Sequence, residues 1–189
     1  MGKVFTALDD RLTNWLTAQH MFVVATAPSG DGGHLNASPK GLDTFRILSP
    51  TRVAYLDFVG SGAETIAHLR QNGRIVLMFC AVSGPPLIVR LYGRGRVVEP
   101  PDAGWAELRA LFPSVAPARA VIVADLTRIS DSCGWGVPLM EFKEHRPQME
   151  ESSLKKGEEG LRIYQREKNA KSLDGLPALR WVEEAGRGK

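Results

Sequence analysis

The segment Asn36-Ala37-Ser38-Pro39-Lys40-Gly41 sets an amide, a hydroxyl and a cation two residues apart. In an extended strand, side chains alternate between faces, so Asn36, Ser38 and Lys40 form one row. Such a row offers several hydrogen-bond donors and one positive charge, which suits a phosphate or a polyol chain. An exposed strand face ending in a solvated lysine is the plainer reading of the same residues. Val59-Gly60-Ser61-Gly62-Ala63-Glu64-Thr65 is a second candidate. Its small residues let the backbone approach a ligand, and the start of the following helix offers unpaired N–H groups beside the Ser61 hydroxyl. The segment is also an ordinary turn and helix cap. It lacks the Lys-Ser/Thr ending of a P-loop and the spacing of a dinucleotide fingerprint, which disfavours nucleotide triphosphate hydrolysis.

Two further candidates lie later in the chain. Arg90 interrupts the apolar run Leu87-Ile88-Val89-Arg90-Leu91-Tyr92, where it shares a face with Ile88 and Tyr92. It needs an acidic partner or an opening, because an unpaired buried charge is very costly. The loop Asp131-Ser132-Cys133-Gly134-Trp135-Gly136-Val137-Pro138 sets a tryptophan between glycines. That ring can lie on a planar ligand or plug a gap in the core. Cys133 has no adjacent base and reads as an unreactive thiol. Cys80 and Cys133 form no CxxC, and the four histidines are scattered. Metal-ligand spacing and dithiol chemistry are therefore unsupported, and a reducing cytoplasm is the simplest setting.

The elements that must hold these residues are mostly strands. Residues 8–19 place Leu8, Leu12, Trp15 and Leu16 on one helical face. Strands follow over 21–26, 34–40, 44–48 and 52–58, separated by the turn-rich Pro28-Ser29-Gly30-Asp31-Gly32-Gly33 and other breaks. The spacing predicts a helix over 64–72 ended by Gly73, strands over 74–82 and 87–98, a helix over 102–112 and a strand over 119–129. Six or seven strands at short spacing with few helices between them imply a mainly β chain with peripheral helices, built as an antiparallel barrel. Residues 1–130 make this barrel with its N-terminal helix. Residues 131–189 form a loop and a charged helical extension packed on the same domain or on a partner subunit, with Gly157 and Gly160 interrupting the helix.

Composition narrows the function classes. The chain has 189 residues with 43% hydrophobic and 24% charged, the profile of one ordinary globular domain. The net charge of +3 and the absence of a basic tail disfavour nucleic-acid binding. Residues 75–82 form an apolar run of eight, far short of the roughly 20 that cross a bilayer, and no secretory leader pattern opens the chain. The charge surplus lies in residues 1–100, and residues 65–98 hold five arginines without an acid. A local positive field of that kind suits a small anion.

Taken in order, Ser38-Pro39-Lys40-Gly41, Val53-Ala54-Tyr55-Leu56-Asp57, the Gly60-Ser61-Gly62 turn with Glu64 and Thr65, and Val89-Arg90-Leu91-Tyr92-Gly93 resemble the pyridoxamine 5'-phosphate oxidase-like FMN-binding split barrels. The later stretches Asp131 to Pro138 and Ser172-Leu173-Asp174-Gly175-Leu176-Pro177 resemble an uncharacterised subgroup of that superfamily. The resemblance implies a homodimer with FMN at the subunit interface and an oxidoreductase acting on a small organic substrate. It implies cofactor contacts from Asn36, Ser38, Pro39, Lys40 and Gly41, from Tyr55, Leu56 and Asp57, and from Ser61, Gly62 and Thr65. Ile88 and Arg90 would reach the ring edge from the partner chain, and Cys133 and Trp135 would cover it. The Arg-Lys pair that follows the turn serine in the oxidases is replaced here by Gly62 and Ala63. Their C-terminal Trp and Arg motif has no counterpart in residues 172–189, so oxidation of pyridoxamine phosphate itself is disfavoured. A deazaflavin or haem in place of FMN, and a flavin-binding sensor without turnover, are the alternatives; no histidine stands in an evident pocket segment to favour haem.

Overall fold

The structure is a computed structural model and describes residues 2–113 and 116–182. The last seven residues of the expected C-terminal extension, 183–189, lie outside the described residues.

In chain order the elements are β1 (Val4–Phe5), α1 (Asp10–Thr17), β2 (Phe22–Thr26), β3 (Asn36–Lys40), β4 (Phe45–Ser49), β5 (Arg52–Phe58), α2 (Glu64–Asn72), β6 (Arg74–Cys80), β7 (Ile88–Val98), α3 (Trp105–Ala110), β8 (Ala118–Ser132) and α4 (Gln148–Lys168). All strand pairs are antiparallel, in the order β3-β2-β6-β7-β8-β5-β4, with β1 beside β8. The seven-stranded path carries the expected architecture, and β1 raises the number of strands to eight. β5 pairs with β8 only as far as Asp125, and β1 occupies the same edge further on, at Ile129 and Ser130. Two residues are too few to show a period-2 pattern. β8 runs on to Ser132, past the expected end at Ile129, because Ser130, Asp131 and Ser132 pair with Arg90, Val89 and Ile88 of β7.

The main core lies between the inner faces of the sheet and the helices α1 and α2. Leu12, Leu16, Val24, Val53, Ile66, Leu77, Leu91 and Ile122 are almost fully buried there. α1 is capped by Asp9, whose side chain accepts a hydrogen bond from the Leu12 N–H at 2.7 Å. The expected helix over 8–19 is shorter because this cap fixes its start. α3 closes a second, smaller core, in which Phe112, Trp105 and Leu108 meet Ala54, Leu56, Val121 and Val123. β5 and β8 are therefore covered on both faces, which is why they read as near-continuous apolar runs.

α4 is bent at Gly157, whose φ of 63° and ψ of −180° are not helical, while Gly160 stays within the helix. Beyond it the chain returns to the barrel. Ala178 and Leu179 are fully buried in the main core, and the Arg180 N–H donates to Glu99 Oε2 at 3.1 Å. No helix among the described residues is long and apolar enough to cross a membrane.

Candidate functional site

A cavity of about 320 Å³ opens where β3, β5, the Gly60 turn and the start of α2 converge, within the range of roughly 300–1,000 Å³ usual for small-molecule sites. Asn36, Ser38 and Lys40 are half-buried on β3 while Ala37 and Pro39 are exposed, so the period-2 row turns toward this space. Leu56 and Phe58 supply an apolar wall, and Arg119 from the start of β8 closes the far side. Met149 of α4 covers one flank.

The floor is a three-member ion cluster. Asp57 is wholly buried, and its two carboxylate oxygens are held separately: Lys40 Nζ donates to Oδ1 and Arg119 Nε donates to Oδ2, each at 2.8 Å. Burial is the largest influence on the Asp57 carboxyl and alone would raise its pKa. Arg119 and then Lys40 together outweigh it and bring the value down to about 2. Two cations against one carboxylate leave the Asp57 cluster with one net positive charge, and Glu64 brings a second carboxylate to the cavity lining. Arg119 also donates to the Gly60 carbonyl at 3.3 Å, tying β8 to the turn.

The rim is a chain of neutral polar groups. Ser38 Oγ donates to Asn36 Oδ1 at 3.1 Å, and Asn36 Nδ2 donates to Thr65 Oγ1 at 3.0 Å and to Thr26 Oγ1 at 3.4 Å. Thr26 Oγ1 lies 3.0 Å from His68 Nδ1. His68 is fully buried; desolvation pushes its pKa down, partly offset by Asp174 and Glu64. Nearby, burial and then the charge of Asp57 raise the Tyr55 phenol well above its ordinary value. Ala63, the N-cap of α2, offers no side-chain cap, so the first-turn N–H groups lack a capping side chain. Glu64 also lines the cavity, and its Oε1 accepts from the Leu173 N–H at 3.2 Å.

Residues 8–133 match the family described as pyridoxamine 5'-phosphate oxidase. The chain belongs to this family. It is 42% identical over 195 residues to the pyridoxamine 5'-phosphate oxidase family protein ustO of Aspergillus flavus, covering 93% of this chain and 77% of the relative. Among solved structures, HupZ of Group A Streptococcus aligns with a TM-score of 0.52 at 18% identity, over 71% of this chain and 99% of that one. A Lactobacillus delbrueckii protein described as a candidate pyridoxamine 5'-phosphate oxidase aligns with a TM-score of 0.52 at 17% identity, over 66% and 94%. At such identities these two show a shared fold.

Within this family member the residues expected at the cofactor fall into three groups. Asn36, Ser38, Pro39, Lys40, Gly41, Leu56, Gly62 and Thr65 line the cavity. Asp57 lies beneath it, and Tyr55 sits in the main core against Phe22, with Lys40 Nζ 5.7 Å from its ring centre. Ser61 faces a neighbouring cavity instead, and Ile88, Arg90, Cys133 and Trp135 do not line the first. Arg90 pairs with the Ser132 hydroxyl at 3.1 Å, which meets its need for a partner without an acid.

The cation that the sequence reading missed is Arg119. It opens the apolar run Ala120-Val121-Ile122-Val123, and the reasoning applied to Arg90 would have found it. None of the five arginines of the acid-free run lines the cavity, so the positive field expected to suit a small anion does not come from them. Arg70 is paired with Glu99, Arg74 donates to the Pro28 carbonyl and Arg94 to that of Asn72, and none of the three lines the cavity.

Proposed function

We propose that this family member binds FMN and acts as an oxidoreductase on a small organic substrate, with the flavin phosphate seated against Lys40, Arg119 and the first turn of α2. One observation carries the reading: the Asp57 cluster keeps a net positive charge beside an uncapped helix N-terminus in one cavity. A phosphate dianion satisfies both, since helix N-termini and paired cations favour anions. Asn36 and Ser38 on the same row are placed to orient a polyol chain, and Leu56 and Phe58 to exclude water. Bound flavin supplies hydride and electron transfer, for which the protein provides orientation and electrostatics.

A homodimer completes the reading. Pro39, Val23, Met78, Arg90 and Ser130 stand in register across β3, β2, β6, β7 and β8, on the face opposite the buried Val24, Leu77 and Leu91. Exposed apolar side chains follow in the loop after β8: Trp135 at 82%, Leu139 at 79% and Met140 at 55%. A second copy seated on this face would bring its own Ile88, Arg90, Cys133 and Trp135 toward the flavin. Exposed apolar area of this kind marks an interaction surface.

The test is reconstitution of the purified protein with FMN, FAD, a deazaflavin and haem in competition. FMN should be retained and give a yellow protein whose absorbance bleaches under dithionite. Preferential uptake of another group, or none, contradicts the proposal, and oxidation of a reduced nicotinamide by the flavin form separates an enzyme from a sensor.

A further inference from the structure

A second cavity of about 280 Å³ adjoins the first, and the two share Gly60 and Met149. One wall is the Val59-Gly60-Ser61 turn; the other is α4, which brings Ser152, Lys156, Leu161 and Tyr164. No carboxylate lines this space. Lys156 Nζ donates to Ser152 Oγ at 2.6 Å and stands 5.3 Å from the Tyr164 ring centre, and it has no ion pair among the described residues. The cavity thus combines one exposed cation with no carboxylate in the lining, hydroxyls of Ser61, Ser152 and Tyr164, the Gln148 amide, and hydrocarbon from Val59, Met149 and Leu161.

That combination selects a class of ligand. A single ammonium with no carboxylate in the lining balances a monoanion. The hydroxyls complete the donor set of a carboxylate. The apolar walls and the Tyr164 ring accept a hydrocarbon or aromatic body attached to it.

The geometry of α4 supports a role in ligand capture. Gly157 adopts a φ/ψ combination open only to glycine and divides the helix immediately after Lys156. The part beyond it is anchored, with Leu161 buried and Asn169 Nδ2 donating to the Gly60 carbonyl at 2.8 Å. The part before it, carrying Met149, Ser152 and Lys156, buries only Ser153.

We propose that the second cavity is the subsite for a carboxylate-bearing organic substrate, with Lys156 as its counter-charge and Ser61 and Ser152 as hydrogen-bond partners. That this ligand is the substrate rests on flavin binding in the first cavity; that it binds here does not. The shared boundary at Gly60 and Met149 lets the body of the ligand reach the flavin while its carboxylate stays at Lys156.

The experiment is competitive acylation of the full chain by an amine-reactive acetylating reagent, read by mass spectrometry at Lys156 and at its neighbour Lys155, both of which are exposed. The probes are benzoate, phenylacetate and hexanoate at constant ionic strength, with flavin absorbance recorded on the same samples. At least one probe should slow acylation of Lys156 about fivefold at roughly four times its Kd, as simple occupancy requires, and leave Lys155 unchanged. Protection of neither lysine, or of both equally, overturns the subsite even when FMN is bound. Selective protection in a protein that takes up no flavin upholds the subsite and removes the flavin reading instead.

Discussion

Arg119 and Lys40 never touch each other, yet each holds one oxygen of the same buried carboxylate, Asp57, at 2.8 Å. β8 and β3 are thereby joined through β5 beneath the cavity, and the ligand-facing cations are fixed by a group the ligand does not meet. Removing Asp57 would leave two cations with no counter-charge, one of them 5% exposed. Asp57→Asn should lower the free energy of unfolding by about 3–5 kcal/mol, the range for breaking a buried pair from one side. Urea denaturation measures it; a loss under about 1 kcal/mol would mean that the cluster is not the structural floor described.

Stability should fall in two separate steps as the solution is acidified. The His68 pKa is depressed in the folded chain, so below 6.5 the unfolded state binds the proton more readily, and stability present above that value declines as pH falls. The Asp57 carboxyl is also depressed, so its contribution is complete above 3.8 and is lost between there and about 2. Thermal unfolding across this range should show both declines, and His68→Gln should remove the upper one only. A wild-type protein as stable at pH 5 as at pH 7.5 would contradict the neutral, buried state of His68.

Gly157 and Gly160 stand three residues apart and should respond unequally to alanine. Gly157→Ala forces a side chain into backbone space that only glycine occupies and should cost about 1–3 kcal/mol. Gly160→Ala, in helical backbone but with its new Cβ 3.3 Å from that of Lys156, should change stability by no more than about 1 kcal/mol. Equal effects in denaturant titrations would show that α4 is not bent at Gly157.

The strands and α2 were legible because alternation, capping and glycine breaks are local signals: β5 and α2 occupy the very residues their patterns predict, 52–58 and 64–72. β1 was not, since its two residues gain strand character only from β8. The row Asn36, Ser38 and Lys40 was visible from spacing, but its partner Asp57 lies 17 residues from Lys40 and Arg119 a further 62 along. Pairings of that range depend on strand order, which periodicity does not encode. The second cavity was hidden for the same reason, because Ser61 and Lys156 meet only when α4 folds back over the Gly60 turn.

The central claim is that Lys40 and Arg119 hold the flavin phosphate, and calorimetric titration with FMN and with riboflavin, which lacks that phosphate, tests it most directly. The wild-type protein should bind FMN at least about 100-fold more tightly than riboflavin, as two charge-assisted contacts of about 1.5–3 kcal/mol each imply. In Lys40→Met that preference should shrink about tenfold or more while riboflavin affinity stays nearly constant. Equal affinity of the wild-type protein for the two flavins, or an unchanged preference in the variant, would contradict the account.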